Sequence, residues 1–346
     1  MKHDVTGRQF ATQAIHAGEA TDPVTGAHNT PIYQTSTYAF TSLAERHAYD
    51  RGEFDGFIYT RAGNPTARAF EEKLAQLEGA EAAVLSASGM GAISATLLSL
   101  LRQGDHMVCA DTIYPTNMAL IRDDFPGFGI ETSFVDIADL DAVAAAIRPE
   151  TKVLFTEALA NPSLVVADLP ALAALAHERG LVFIVDATFA SPYLLRPLEH
   201  GADLVLHSAT KYISGHGDTL AGVVAGPKAR IDPIRQLVAH LGSPISPFNA
   251  WLLLRGIKTL ELRMERHCQN AMKLAEYLST RPEVEKLNYP GLPSDPSHEV
   301  AKRLMGDRFG GMVSFEIVGG GEAGQQFADA LQFFAHGVSL GDVASL

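Results

Sequence analysis

Between residues 82 and 208 the chain repeats one pattern, a short apolar run followed by a longer stretch of helical spacing. The runs lie near 82–86, 106–110, 130–135, 152–158, 181–186 and 202–208, with helical stretches near 90–101, 116–124, 138–147 and 168–179. Strands that alternate with helices predict a mainly parallel sheet with helices on both faces. Ahead of the first run, Asn64 and Pro65 offer a cap and a first-turn proline. Phe70, Leu74 and Leu77 then recur at helical spacing up to Gly79. The stretch 187–202 contains two prolines and gives no clear crossover. Ala221-Gly222-Val223-Val224-Ala225 is a candidate further strand, with antiparallel pairing one option.

In an open sheet of this kind, ligands collect beyond the carboxyl ends of the strands. The run at 181–186 ends in Asp186, and the run at 202–208 leads into His207-Ser208-Ala209-Thr210-Lys211-Tyr212. A lysine amine can form a Schiff base with an aldehyde, and an aspartate can keep a pyridine nitrogen protonated so that the ring accepts electrons. The hydroxyls of Ser208 and Thr210 suit a phosphate. Taken singly, Asp186 reads equally well as a cap, and Lys211 as a surface charge. Placed together at two strand ends, they point to pyridoxal 5'-phosphate. Ser88-Gly89-Met90-Gly91 opens a helix after a strand, where backbone N–H groups also suit phosphate. Tyr114, just past the run at 106–110, can stack on a pyridine ring and exchange a proton through its hydroxyl. Tyr59 and Arg61 can both point at a phosphate dianion.

Other chemistries are disfavoured. A net charge of −13 argues against nucleic acid and against an anionic membrane surface. No apolar run approaches the ~20 residues that span a bilayer. Cys109 and Cys268 form no C-x-x-C pair, and the N-terminus carries no signal peptide, so a cytoplasmic location is expected. There is no H-E-x-x-H, and His216 in Ser214-Gly215-His216-Gly217-Asp218 lacks partners at ligand spacing, so no metal is expected.

Residues 1–60 read as an irregular arm, too long for a loop inside a compact domain and better suited to packing on a neighbouring subunit. Residues 61–245 read as the cofactor-binding domain. The proline-rich Leu241-Gly242-Ser243-Pro244-Ile245-Ser246-Pro247 looks like a hinge into a smaller α/β unit at 246–346. That unit is expected to hold a long helix near 248–281, a strand near 311–317 and a helix near 322–333.

The chain resembles the Cys/Met-metabolism family of pyridoxal-phosphate enzymes, which includes methionine γ-lyase, cystathionine γ-lyase, cystathionine γ-synthase and the homoserine-ester sulfhydrylases. The likeness is carried by Thr12-Gln13-Ala14-Ile15-His16-Ala17-Gly18, Pro31-Ile32-Tyr33-Gln34-Thr35-Ser36 and Tyr59-x-Arg61-x-Gly63-Asn64-Pro65-Thr66. Ser88-Gly89-Met90, Asp186, the segment from His207 to Tyr212, Ser246-Pro247-Phe248-Asn249-Ala250 and Arg255-Gly256-Ile257-Lys258-Thr259-Leu260 extend it.

The resemblance implies fold type I, the aspartate-aminotransferase-like α/β architecture, and a homotetramer built as a dimer of dimers. Lys211 would carry the cofactor, Asp186 would pair with the pyridinium, and Tyr114 would stack on the ring. Gly89, Met90, Ser208 and Thr210 would hold the phosphate, joined by Tyr59 and Arg61 of the neighbouring subunit. Asn161 and Ser339 would line the side that takes the substrate carboxylate. The expected reaction is a γ-elimination on a sulfur amino acid, as in methionine γ-lyase, with cystathionine cleavage or γ-replacement on O-acetyl- or O-succinylhomoserine as alternatives. Arg255-Gly256-Ile257-Lys258-Thr259 and Val338-Ser339-Leu340-Gly341-Asp342 look like the lyases. Thr116, by contrast, stands where methionine γ-lyases carry a cysteine. Family members continue past the position of Leu346 and carry an arginine there for the substrate carboxylate, so the smaller unit is expected to be incomplete.

Overall fold

The computed structural model describes residues 5–345. Residues 1–4 of the expected arm and Leu346 of the expected smaller unit lie outside the described residues. Seven strands form the central sheet: β1 (Ala82–Ser86), β2 (His106–Ala110), β3 (Glu131–Val135), β4 (Thr151–Glu157), β5 (Val182–Asp186), β6 (Leu204–His207) and β7 (Gly222–Gly226). Their order is β1-β7-β6-β5-β4-β2-β3. The strand β7 runs antiparallel to both β1 and β6, and the other pairs are parallel. All six apolar runs are therefore strands, and the seventh candidate is the antiparallel one.

The core explains why these runs pair. Leu154, Phe155, Phe183 and Ile184 are fully buried between sheet and helices, and burying each such side chain is worth about 1.5–3 kcal/mol. The helix Pro65–Glu78 starts where Asn64 caps it, its side chain accepting from the Thr66 N–H at 2.9 Å. It ends at Gly79, whose φ of +69° is a left-handed conformation that glycine adopts without a Cβ clash. Phe70, Leu74 and Leu77 face the core with no exposure.

Several expectations are corrected. The stretch 116–124 is not one α-helix. It is a short helix Pro115–Ala119 that widens to π geometry over Leu120–Asp124 and tightens to a 3-10 turn over Phe125–Phe128. Pro126 brings no N–H to an α ladder and crowds the preceding turn. The long helix at 248–281 is two helices, Pro247–Gly256 and Leu260–Leu278, joined by a 3-10 turn at Ile257–Thr259. At that break the Arg263 guanidinium donates to the Gly256 carbonyl at 3.0 Å and to the Thr259 hydroxyl at 3.1 Å.

The stretch before the proline-rich segment 241–247 contains a helix, Lys228–His240, with Pro233 inside it. A second, two-stranded antiparallel sheet pairs β8 (Val284–Asn288) with β9 (Ser314–Ile317); the helix His298–Met305 connects the two strands in sequence and Gly320–Ala330 follows them. In the strand β8 the exposed Glu285 and Lys286 interrupt the apolar residues Val284 and Leu287, so it carries no apolar run.

The arm is not wholly irregular either, since it holds helices Phe10–His16 and Leu43–Asp50. Its first part packs on its own chain. The fully buried Lys73 amine donates to the carbonyls of Ala14 and Ile15 at 2.8 and 2.9 Å and pairs with Glu19 at 3.1 Å. Among the described residues, no helix is long and apolar enough to cross a membrane.

Candidate active site

Because their strands are mutually parallel, the carboxyl ends of β1, β2, β4, β5 and β6 line one edge of the sheet. A cleft of about 240 Å³ opens there, walled by Ser88, Gly89, Met90, Tyr114, Asn161, Asp186, Ser208, Thr210 and Lys211. Nine residues singled out from sequence thus meet in one place.

Asp186 ends β5 and is buried. Its Oδ1 accepts from the Thr188 N–H at 2.9 Å and from the Thr188 hydroxyl at 2.6 Å. The same hydroxyl oxygen accepts from the Ser208 N–H at 2.7 Å, which ties the ends of β5 and β6 together. Burial pushes the Asp186 pKa up, while the Thr188 bonds and the His207 side chain act in the opposite direction. His207, the last residue of β6, lies within 2.6 Å of Glu78 through its Nε2, and both side chains are buried.

Lys211 stands on the turn that follows β6. Its Nζ donates to the Ser339 hydroxyl at 3.0 Å, and burial lowers the pKa of the amine. Thr210 fixes the turn, its hydroxyl oxygen accepting from the Ala221 N–H at 3.0 Å at the approach to β7. The helix Gly89–Leu100 points its N-terminus at the same cleft. Ser88 caps it, accepting from the Gly91 N–H at 3.0 Å, which leaves the first-turn amides of Gly89 and Met90 without helical acceptors. A Cβ on Gly89 would lie 3.0 Å from the Ser208 side chain. Glycine therefore keeps the phosphate-sized gap between helix and turn open.

Tyr114 precedes the short helix Pro115–Ala119, and its ring is 42% exposed. Its N–H donates to Glu157 Oε1 at 2.6 Å, and the Asn161 N–H donates to Glu157 Oε2 at 3.1 Å. Glu157, Thr188 and Asn117 also wall the cleft and were not singled out from sequence. Glu157 was open to discovery by the strand-end rule, because it ends β4 in register with Asp186. Burial first, and then the Asp186 carboxyl, push its pKa up. Thr188 has no signal apart from its place two residues after Asp186. Asn117 is buried with its Oδ1 unpartnered.

Ser339 reaches the cleft through Lys211. Tyr59 and Arg61 do not line it: the Arg61 guanidinium sits 5.5 Å over the Tyr59 ring and donates to the Ala239 carbonyl at 3.4 Å.

The groups present fit pyridoxal phosphate. An amine, a buried carboxylate for a ring nitrogen, an open ring face beside Tyr114 and a helix N-terminus with two hydroxyls converge on one cleft, across a gap that glycine holds open. Sheet and cleft together define a fold type I enzyme dependent on pyridoxal phosphate. The family model for Cys/Met metabolism PLP-dependent enzymes matches residues 11–346, and the chain belongs to that family. Its relatives include L-methionine gamma-lyase of Pseudomonas putida, 48% identical over 97% of this chain and 85% of the relative. Another is O-succinylhomoserine sulfhydrylase of Pseudomonas aeruginosa, 42% identical over 98% of this chain and 84% of the relative. Among solved structures, metB from Corynebacterium glutamicum superposes with a TM-score of 0.94 at 40% identity, covering 99% of this chain and 87% of that one.

Proposed function

We propose that this chain catalyses a methionine γ-lyase-like γ-elimination, converting L-methionine to 2-oxobutanoate, ammonia and methanethiol. The observation that carries the reading is the Lys211 amine, held at 3.0 Å by Ser339 in the cleft that Tyr114 and Asp186 also wall. Pyridoxal phosphate, when bound, supplies an aldehyde for the substrate amine and a ring that withdraws electrons from Cα. Asp186 would pair with the ring nitrogen and keep it protonated, and Gly89, Met90, Ser208 and Thr210 would hold the phosphate. Lys211 takes the α proton and then a β proton, and the lowering of its pKa by burial raises the neutral, basic fraction of the amine. Tyr114 donates a proton to sulfur as the Cγ–S bond breaks. Asn161 and Ser339 orient the substrate on its carboxylate side.

The same reading divides the chain into an arm at 1–60, a cofactor domain at 61–245 and a smaller domain at 246–346. It places the protein in the cytoplasm as a homotetramer, a dimer of dimers in which Tyr59 and Arg61 serve the neighbouring subunit's phosphate. Their distance from the chain's own cleft supports that arrangement. Replacement of a homoserine ester by a thiol is the second reading, favoured by Thr116 and by the relative from Pseudomonas aeruginosa. Lys211→Ala tests the common ground. The variant is expected to lose the visible absorbance of bound cofactor and at least about a thousandfold in turnover. Retention of both contradicts the assignment.

A further inference from the structure

The geometry points to Glu157 as the positioning residue for Tyr114, a role that rests on the cleft being the cofactor pocket. Tyr114 is 42% exposed, and the five-residue helix it introduces has no side-chain cap. Its carbonyl accepts from the Met118 N–H at 3.0 Å within that helix, and the contact that ties it to the sheet is its backbone N–H, which donates to Glu157 Oε1 at 2.6 Å. Glu157 is a sound anchor for that contact. It is 7% exposed, it ends β4 in register with Asp186 on β5, and its other oxygen is held by the Asn161 N–H at 3.1 Å.

Only a carboxyl presents two acceptor oxygens on one fork to donors from two loops. The site also has a cost that folding alone does not require. A buried carboxyl beside a second buried carboxyl is less favourable than an apolar side chain of like size. Burial and Asp186 both disfavour its charge. Glu157 does not need to touch substrate to act: it sets where the Tyr114 ring and hydroxyl stand over the cleft.

The test is a double-mutant cycle of Glu157→Gln with Tyr114→Ala, using the protein loaded with pyridoxal phosphate for kinetics and the stripped protein for cofactor titration. In glutamine one acceptor becomes an NH₂ that must face a backbone N–H. Glu157→Gln is therefore expected to weaken cofactor affinity and to raise KM by about tenfold each, with kcat changed less than about threefold. In the Tyr114→Ala background the same substitution is expected to weaken cofactor affinity by less than about a further twofold, because that effect is exerted through the Tyr114 ring. Effects that persist in full without the Tyr114 ring, or a Glu157→Gln protein that matches wild type in both quantities, overturn the role. If Glu157→Gln does not fold, Glu157→Asp, with two acceptors on a shorter stem, is carried through the same cycle with the same non-additivity expected. A wild-type chain that binds no pyridoxal phosphate contradicts the pocket itself; additive effects in a chain that binds it contradict the Glu157 role alone.

Discussion

At the residue scale, burial in the cleft works against the charged forms of both Lys211 and Asp186. Burial lowers the pKa of the Lys211 amine and raises that of Asp186, where the Thr188 bonds and His207 oppose the rise without cancelling it. In the proposed elimination the Tyr114 hydroxyl would protonate the leaving sulfur. Tyr114→Phe keeps the stacking ring and removes that proton, so kcat is expected to fall by about 10²–10³ while cofactor affinity changes little. Steady-state kinetics paired with a cofactor titration checks both halves. Asp186, Lys211 and Tyr114 were legible in the sequence because each follows a recognisable strand. Glu157 ends a strand too, but glutamate at the end of 152–158 carried no familiar motif to single it out. Thr188 acts through its hydroxyl, bridging Asp186 Oδ1 and the Ser208 N–H, and no residue pattern announces such a bridge.

At the scale of elements, the sheet was readable because its strands are short, apolar and separated by helical spacing. Its buried polar supports were not. Glu78, at the end of the helix Pro65–Glu78, meets His207 of β6 at 2.6 Å with both side chains buried. This pair joins the capped helix to the strand that delivers the lysine turn. Glu78→Ala leaves the imidazole without that partner and is expected to cost about 2 kcal/mol in unfolding free energy, read by denaturant titration. Where sequence reading erred, competing contacts explain the error. Arg263 takes the Gly256 carbonyl and divides what looked like one helix at 248–281, and Pro126 distorts what looked like a helix at 116–124. The strand β8 escaped notice because Glu285 and Lys286 break its apolar pattern.

At the scale of the molecule, the N-terminal segment is fastened to the rest of its own chain. Glu19 pairs with Lys73 at 3.1 Å and with Lys258 at 3.0 Å, linking the arm, the capped helix and the turn before the helix Leu260–Leu278. Burial lowers the Lys73 pKa from 10.5 to about 8, with Glu19 opposing the shift. Between those values the unfolded chain binds the proton that the folded chain has released, so this group adds stability as pH rises from about 8 to 10.5. Below about 8 both states are protonated and its contribution is constant. Thermal unfolding of wild type and Lys73→Met across that window is expected to show wild type gaining on the variant as pH rises; parallel curves contradict it.

What leaves Cγ distinguishes elimination from replacement, and product release without a thiol reads it directly. Protein loaded with pyridoxal phosphate is given L-methionine without any added thiol, and 2-oxobutanoate is followed with time. Steady release that disappears in Lys211→Ala is the predicted result. No release from L-methionine, with product formed only when sulfide accompanies O-acetyl- or O-succinylhomoserine, would contradict it and make the chain a γ-replacement enzyme.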